Sequence, residues 1–187
     1  MAEYYLAIDL GASGGRHILG SVENGKLVLE EVHRFSHVPA KYGNSLIWDD
    51  DEMFAQILEG IKKCGKLGKI PKSVGIDTWG VDYALIDGKG ELIKPVYAYR
   101  DSRTEPFIKT AVPFEKLYEV TGIASQPFNT VYQMLADKAA GRLEKAEFMF
   151  HLPEYFVYHG IKFATQFSPK RFPLQWAWSG LLLRERE

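Results

Sequence analysis

Tyr4-Tyr5-Leu6-Ala7-Ile8-Asp9-Leu10-Gly11-Ala12-Ser13-Gly14-Gly15-Arg16 is an aromatic and branched run that stops at a glycine cluster, which is how a short buried strand is bounded. What comes next decides the fold. His17 to Val22 and Leu27 to Phe35 read as two further strands around Glu23-Asn24-Gly25-Lys26, and Asn-Gly is the strongest short-range hairpin signal. Three consecutive antiparallel strands therefore open the chain, with no helix behind the glycines.

That context separates the motifs that compete for Gly11 to Arg16. A phosphate-binding loop of the Walker type needs Gly-Lys-Ser/Thr followed by a helix, whereas here the basic residue is Arg16 and a hairpin follows. The dinucleotide fingerprint fails on the same ground and on the spacing of its glycines. Gly11-Ala12-Ser13-Gly14-Gly15 matches Gly-x-Ser-x-Gly, which would make Ser13 a hydrolase nucleophile, but that motif requires a strand-to-helix elbow. What remains is a glycine-rich turn between antiparallel strands. Its backbone N–H groups can converge on an anion, Ser13 and Arg16 can add donors, and Asp9 can hold a hydrated Mg²⁺. A plain hairpin turn, with glycines supplying positive φ, fits the same residues.

Further along, Asp49-Asp50-Asp51-Glu52 precedes Met53, Phe54, Ile57, Leu58 and Ile61, an apolar face at helical spacing. The four acids are expected to cap the helix rather than to bind metal, since carboxylates complement exposed N–H groups and the helix dipole. Lys62, Lys63, Lys66 and Lys69 with Gly65 and Gly68 mark its other end. Ser73 to Gly80 reads as a buried strand, and Val81 to Ile86 continues extended before the turn at Asp87-Gly88-Lys89-Gly90. Helical periodicity returns at Pro113 to Val120 and from Asn129, a candidate N-cap, to Ala140; Glu147 to His151 is a short strand and Leu152 to Tyr158 opens a helix. The order of elements predicts an α/β fold.

Composition narrows the function classes. The 187 residues are 46% hydrophobic and 25% charged with a net charge of −1, which is globular and lacks the basic excess of a nucleic-acid surface. The single cysteine, Cys64, excludes an intrachain disulfide and favours a reducing compartment. No signal peptide is seen and no apolar stretch approaches the roughly 20 residues of a membrane helix, so a cytoplasmic protein with no membrane partner is expected.

From His159 to Leu183 the chain has no acidic residue, and Lys162, Lys170 and Arg171 lie among Phe163, Phe167, Phe172, Trp176 and Trp178. No period persists there. Residues 1–158 are expected to form one subdomain and residues 159–187 an atypical, weakly ordered tail of the kind a shifted reading frame produces.

Three segments carry a family resemblance: Leu10 to Arg16, Gly75-Ile76-Asp77-Thr78-Trp79-Gly80-Val81-Asp82, and Tyr99-Arg100-Asp101-Ser102-Arg103-Thr104. With Pro127 to Gln133 and Leu152 to Phe156, they resemble the FGGY carbohydrate kinases, from about Tyr4 to Tyr158. Within that family they are similar to the branch acting on L-rhamnulose rather than those acting on xylulose or glycerol. The resemblance implies the ribonuclease-H-like (actin-like ATPase) fold, a mixed sheet flanked by helices, here incomplete. It implies transfer of the ATP γ-phosphoryl group to the 1-hydroxyl of L-rhamnulose, with Mg²⁺. By position, Ala12, Ser13, Gly14, Gly15 and Arg16 would line the ATP phosphates, Gly80 would contact the sugar and Asp9 would sit near Mg²⁺. Asp77, Trp79, Asp82, Asp101 and Arg103 are candidates for the sugar side, with strand capping and an internal Asp-Arg pair as equal alternatives. The family's general base, an aspartate preceded by a histidine, and its adenosine pocket have no counterpart in these residues. The expectation is therefore a lobe inactive alone, needing a complementing C-terminal polypeptide; weak, non-catalytic binding of nucleotide phosphate or sugar, or another FGGY sugar kinase, stays as the alternative.

Overall fold

A computed structural model describes the backbone of residues 3–110, 113–167 and 181–182, and side chains up to residue 160. In chain order the elements are β1 (Tyr4–Gly11), β2 (Gly14–Glu23), β3 (Lys26–Ser36), β4 (Ala40–Tyr42), β5 (Ser45–Trp48), α1 (Asp50–Lys66), β6 (Pro71–Thr78), β7 (Tyr83–Asp87) and β8 (Val96–Tyr97). Then come α2 (Glu105–Ile108), α3 (Phe114–Thr121), α4 (Thr130–Ala139), β9 (Ala146–His151), α5 (Leu152–Phe167) and β10 (Leu181–Leu182). The chain divides into two compact units, whose described residues are 3–38, 49–79 and 156–167 in the first, and 39–48, 80–110, 113–155 and 181–182 in the second.

The first unit holds a four-stranded mixed sheet in the order β3-β2-β1-β6, antiparallel from β1 through β3 and parallel between β1 and β6. Its Asn-Gly turn is as the sequence predicts: Asn24 and Gly25 both take positive φ, 50° and 75°. Alternation buries Leu6, Ile8 and Leu10 of β1 beside their partners Leu19, His17 and Gly15 of β2. Helix α1 brings Met53, Phe54, Ile57 and Cys64 to this unit's core. Gly60 makes the fit possible, since a Cβ there would lie 2.1 Å from His17 Cδ2.

The helix ends match the sequence reading. Asp49 accepts from the Glu52 N–H at 2.9 Å, and the acids that follow occupy the first turn. At the other end Lys63 reaches His33 Nδ1 at 2.8 Å, Lys66 pairs with Glu59 and Lys69 with Glu30, so this basic run is spent on internal partners. Gly65 lies inside the helix, and the stop is Gly68 at φ 68°.

The second unit carries two three-stranded sheets, β10-β9-β7 and β4-β5-β8. Tyr83, Leu85, Ala146 and Met149 form its core cluster, with Ile93, Met134 and Leu143 packed against it. The β4-β5 hairpin, β8 and α2 carry no sequence period long enough to announce them. Residues of α5 divide between the units at Phe156, and the helix runs through Phe167. The order expected of residues 168–180 and 183–187 lies outside the described residues.

Candidate functional site

The glycine-rich turn is shorter than the sequence reading put it. Gly11 and Gly14 are already register partners, leaving Ala12 and Ser13 as the turn, while Gly14, Gly15 and Arg16 begin β2. None of these glycines takes positive φ, so conformational freedom does not explain them. At Gly14 and Gly15 close approach does. A Cβ on Gly14 would lie 2.5 Å from the Phe35 carbonyl oxygen, and one on Gly15 would lie 2.6 Å from the Phe35 ring and 2.8 Å from Leu10 Cδ2. Gly15 is buried, so its part is to let the sheet close beneath the turn. His37, which the sequence reading passed over, braces that turn: its N–H donates to the Ser13 carbonyl at 3.2 Å and its ring lies 5.6 Å from that of Trp79. Burial holds the His37 imidazole below its ordinary pKa, against a backbone hydrogen bond at Gly11. Its place follows from the Gly14↔Ser36 register, which returns the end of β3 to the turn.

A charged row crosses the sheet next to the turn. Arg34 of β3, Arg16 of β2, Asp9 of β1 and Asp77 of β6 are successive register partners, and such partners share a face. Arg16 Nε donates to Asp9 Oδ2 at 2.9 Å, both side chains being about half exposed, 50% and 47%. Asp77 is exposed on the other flank of Asp9. Two neighbouring carboxylates suit a hard divalent cation that keeps most of its waters and takes its remaining oxygens from phosphate. Asp9 and Asp77 are therefore the residues here that could hold Mg²⁺, and among the described residues no group of three or more His, Cys, Asp or Glu could hold a metal ion. The register adds Asp77 to the cation position expected of Asp9.

In the second unit Gly80 is exposed, and a Cβ built on it meets no atom within 4 Å. Neither packing nor a positive φ calls for glycine there. Its neighbour Val81 stands at φ 71°, a left-handed conformation that costs a β-branched residue on the order of 1–3 kcal/mol. Helix α4 holds it: the Val81 carbonyl accepts from Thr130 Oγ1 at 3.0 Å and from Gln133 Nε2 at 3.2 Å. Asn129 is the residue before α4, as expected, but its side chain donates to the Ala124 carbonyl instead of capping the helix.

The remaining candidates form a buried frame behind this turn. Asp82, fully buried, accepts from Trp48 Nε1 at 2.6 Å, the Tyr99 N–H at 3.1 Å and Gln133 Nε2 at 3.0 Å. Asp101 accepts from the N–H groups of Leu46 and Arg103. Arg103 Nη1 donates to Asp137 Oδ1 at 2.6 Å and its guanidinium stacks 3.8 Å from the centre of the Tyr97 ring. Asp137 also takes the Tyr83 hydroxyl at 2.5 Å, with Arg142 Nε 2.7 Å away. Burial, then the Asp137 charge, pushes the Tyr83 phenol above its ordinary range. Asp82, Asp101 and Arg103 are thus engaged in capping and internal pairing. Gln133, Asp137 and Arg142 complete a network the sequence did not reveal, because its members lie on separate elements.

Beside the α4 end of this frame is a cavity of about 270 Å³, lined mainly by apolar groups that include Val81, Leu117, Ile123, Val131 and Tyr132. Among the described residues no helix is long and apolar enough to cross a membrane.

Residues 4–168 match the FGGY family of carbohydrate kinases, N-terminal domain. A rhamnulokinase of Bacillus subtilis is 40% identical over 157 residues, which are 82% of this chain and 32% of that relative. One from Oceanobacillus iheyensis is 42% identical over 160 residues, 83% of this chain and 34% of that relative. The chain thus spans about a third of the length of the curated relatives it matches. A crystal structure of gluconate kinase from Lactobacillus acidophilus superposes with a TM-score of 0.69 at 17% identity, over 84% of this chain and 33% of that one. Xylulose kinase from the same organism gives 0.67 at 17% identity, with the same coverage. These likenesses show the fold: a mixed α/β domain like that of the sugar kinases it superposes on.

Proposed function

The chain belongs to the FGGY family of carbohydrate kinases, and from that premise we propose that it forms the N-terminal part of an ATP-dependent kinase of L-rhamnulose, making L-rhamnulose 1-phosphate. The observation that carries the sugar side is Gly80, a glycine that neither the backbone nor the packing requires, beside a strained and firmly held Val81. Without a side chain there, a polyol can lie against the peptide. The choice of L-rhamnulose rests on the likeness to relatives named rhamnulokinase.

On the nucleotide side, the Ala12-Ser13 turn offers backbone N–H groups and the Ser13 hydroxyl to the phosphates, and Arg16 adds a guanidinium held by Asp9. Asp9 and Asp77 would hold the cation. Mg²⁺, when bound, neutralises charge that the phosphates carry during transfer. Positioning of this kind supplies most of the rate in phosphoryl transfer, but the 1-hydroxyl proton still needs a base. That base, by family likeness an aspartate, comes from outside these residues, in a complementing C-terminal segment. The reaction belongs to the cytoplasm, where ATP and a reduced Cys64 are both maintained.

A coupled assay with ATP, Mg²⁺ and L-rhamnulose tests this, run on the chain alone and with the C-terminal two thirds of the Bacillus subtilis relative added. Turnover is expected only in the mixture. Turnover by the chain alone would show that it carries its own base, and no turnover in either, with no ketose binding, would leave a non-catalytic fragment.

A further inference from the structure

Val81 is the one β-branched residue with positive φ among the described residues, and its carbonyl is where two side chains of α4 converge. Gln133 is 2% exposed, and its Nε2 is shared among the carbonyls of Val81 and Phe128 and the Asp82 carboxylate at 3.0–3.2 Å. Its Oε1 lies 3.4 Å from Arg103 Nη2, which ties it to the Asp137 frame. A left-handed valine reverts to an ordinary conformation unless its surroundings hold it, and strain of this kind collects at ligand sites. Reversion would swing the peptide that joins Gly80 to Val81, and with it the only part of this unit assigned to the sugar.

We infer that Gln133 and Thr130 are positioning residues for the sugar, clamping the Val81 carbonyl so that the Gly80 peptide is presented to the ketose in a fixed orientation. The inference rests on the reading of Gly80 as a sugar contact. It makes α4, which touches no reacting group, the element that sets the geometry of ketose recognition. It also accounts for the valine. A glycine at 81 would take the same φ without help but would bring no apolar side chain to this turn, where Val81 is among the residues lining the cavity beside α4.

The test is solution NMR on the full 187-residue chain, titrated with L-rhamnulose. In the wild-type chain Val81 should show the intense intraresidue HN–Hα cross-peak of positive φ, and the ketose should shift the Gly80 and Val81 amides. Q133A should weaken that cross-peak and lower ketose affinity about tenfold. In a V81G background, where the clamp is not needed, Q133A should cost less than about twofold. T130V, at a half-buried position, removes the other donor and gives the same pattern should Q133A fail to fold. An equal loss from Q133A or T130V in both backgrounds, or a wild-type Val81 without the positive-φ signature, overturns the inference. A wild-type chain with that signature but no response to the ketose overturns the sugar reading of Gly80 and, with it, the role given to the clamp.

Discussion

Asp9 on β1 and Asp77 on β6 are register partners across the parallel pair of the sheet, so two carboxylates stand side by side at its charged row. Arg16 engages Asp9 from the antiparallel side, which leaves Asp77 as the carboxylate that no cation of the row adjoins directly. We expect Mn²⁺, as a stand-in for Mg²⁺, to broaden the resonances around both aspartates. D77N should weaken its affinity about tenfold, and D9N with D77N should remove specific broadening. Equal broadening in the double variant would place the cation elsewhere.

Gly14 and Gly80 should respond in opposite ways to a methyl group. Gly14→Ala sets a Cβ against the fixed Phe35 carbonyl, so unfolding free energy should fall by about 1–3 kcal/mol in a urea titration. Gly80→Ala meets open space and should change stability by less than about 0.5 kcal/mol, while L-rhamnulose affinity falls. Reduced nucleotide binding in Gly14→Ala would then report a damaged sheet as much as a damaged turn.

Stability should depend on pH through His17. Its imidazole is completely buried, its Nε2 lies 3.3 Å from the Ile57 carbonyl, and burial lowers its pKa from 6.5 to about 4. The folded state therefore holds His17 neutral where the unfolded chain would already protonate it. The stabilisation is complete above pH 6.5 and is lost as pH falls toward 4, on the order of 3 kcal/mol in all. Urea midpoints at pH 7.5, 5.5 and 4.5 should fall in that order, and a flat profile would mean the imidazole is hydrated.

Removing the acid from the frame of the second unit should cost far more than removing its neutral partner. Asp137→Ala leaves Arg103 and Arg142 without their shared carboxylate in a buried setting, a loss of about 3–5 kcal/mol. Tyr83→Phe removes one hydrogen bond to a carboxylate that keeps both arginines, a loss of about 1–2 kcal/mol. Thermal unfolding monitored by tryptophan fluorescence distinguishes the two.

What the sequence disclosed was what is local. The Asn24-Gly25 turn, the Asp49 cap and the apolar faces of β1 and α1 are each written within a few neighbouring residues, and the structure has them where the pattern put them. The absence of a helix after Gly15 was enough to set aside three better-known motifs, and family likeness then supplied the fold. What stayed hidden depends on register and on partners far along the chain. Asp77 meets Asp9 across 68 positions because two strands align, and His37 meets Ser13 because β3 runs back beside β2. The glycines of the turn illustrate the same limit. Their spacing suited an anion-binding turn and a plain hairpin turn alike, and the atoms that would crowd a side chain at Gly14 and Gly15 belong chiefly to Phe35, about twenty residues away.

The sheet order β3-β2-β1-β6 leaves one long side of β6 without a partner strand among the described residues, with Val74 43% exposed upon it. An uncovered strand edge is a template for any other chain that offers one, including a second copy. Self-association by that route grows with the square of concentration. Dilute buffer is accordingly the regime in which the binding chemistry of a single molecule can be observed.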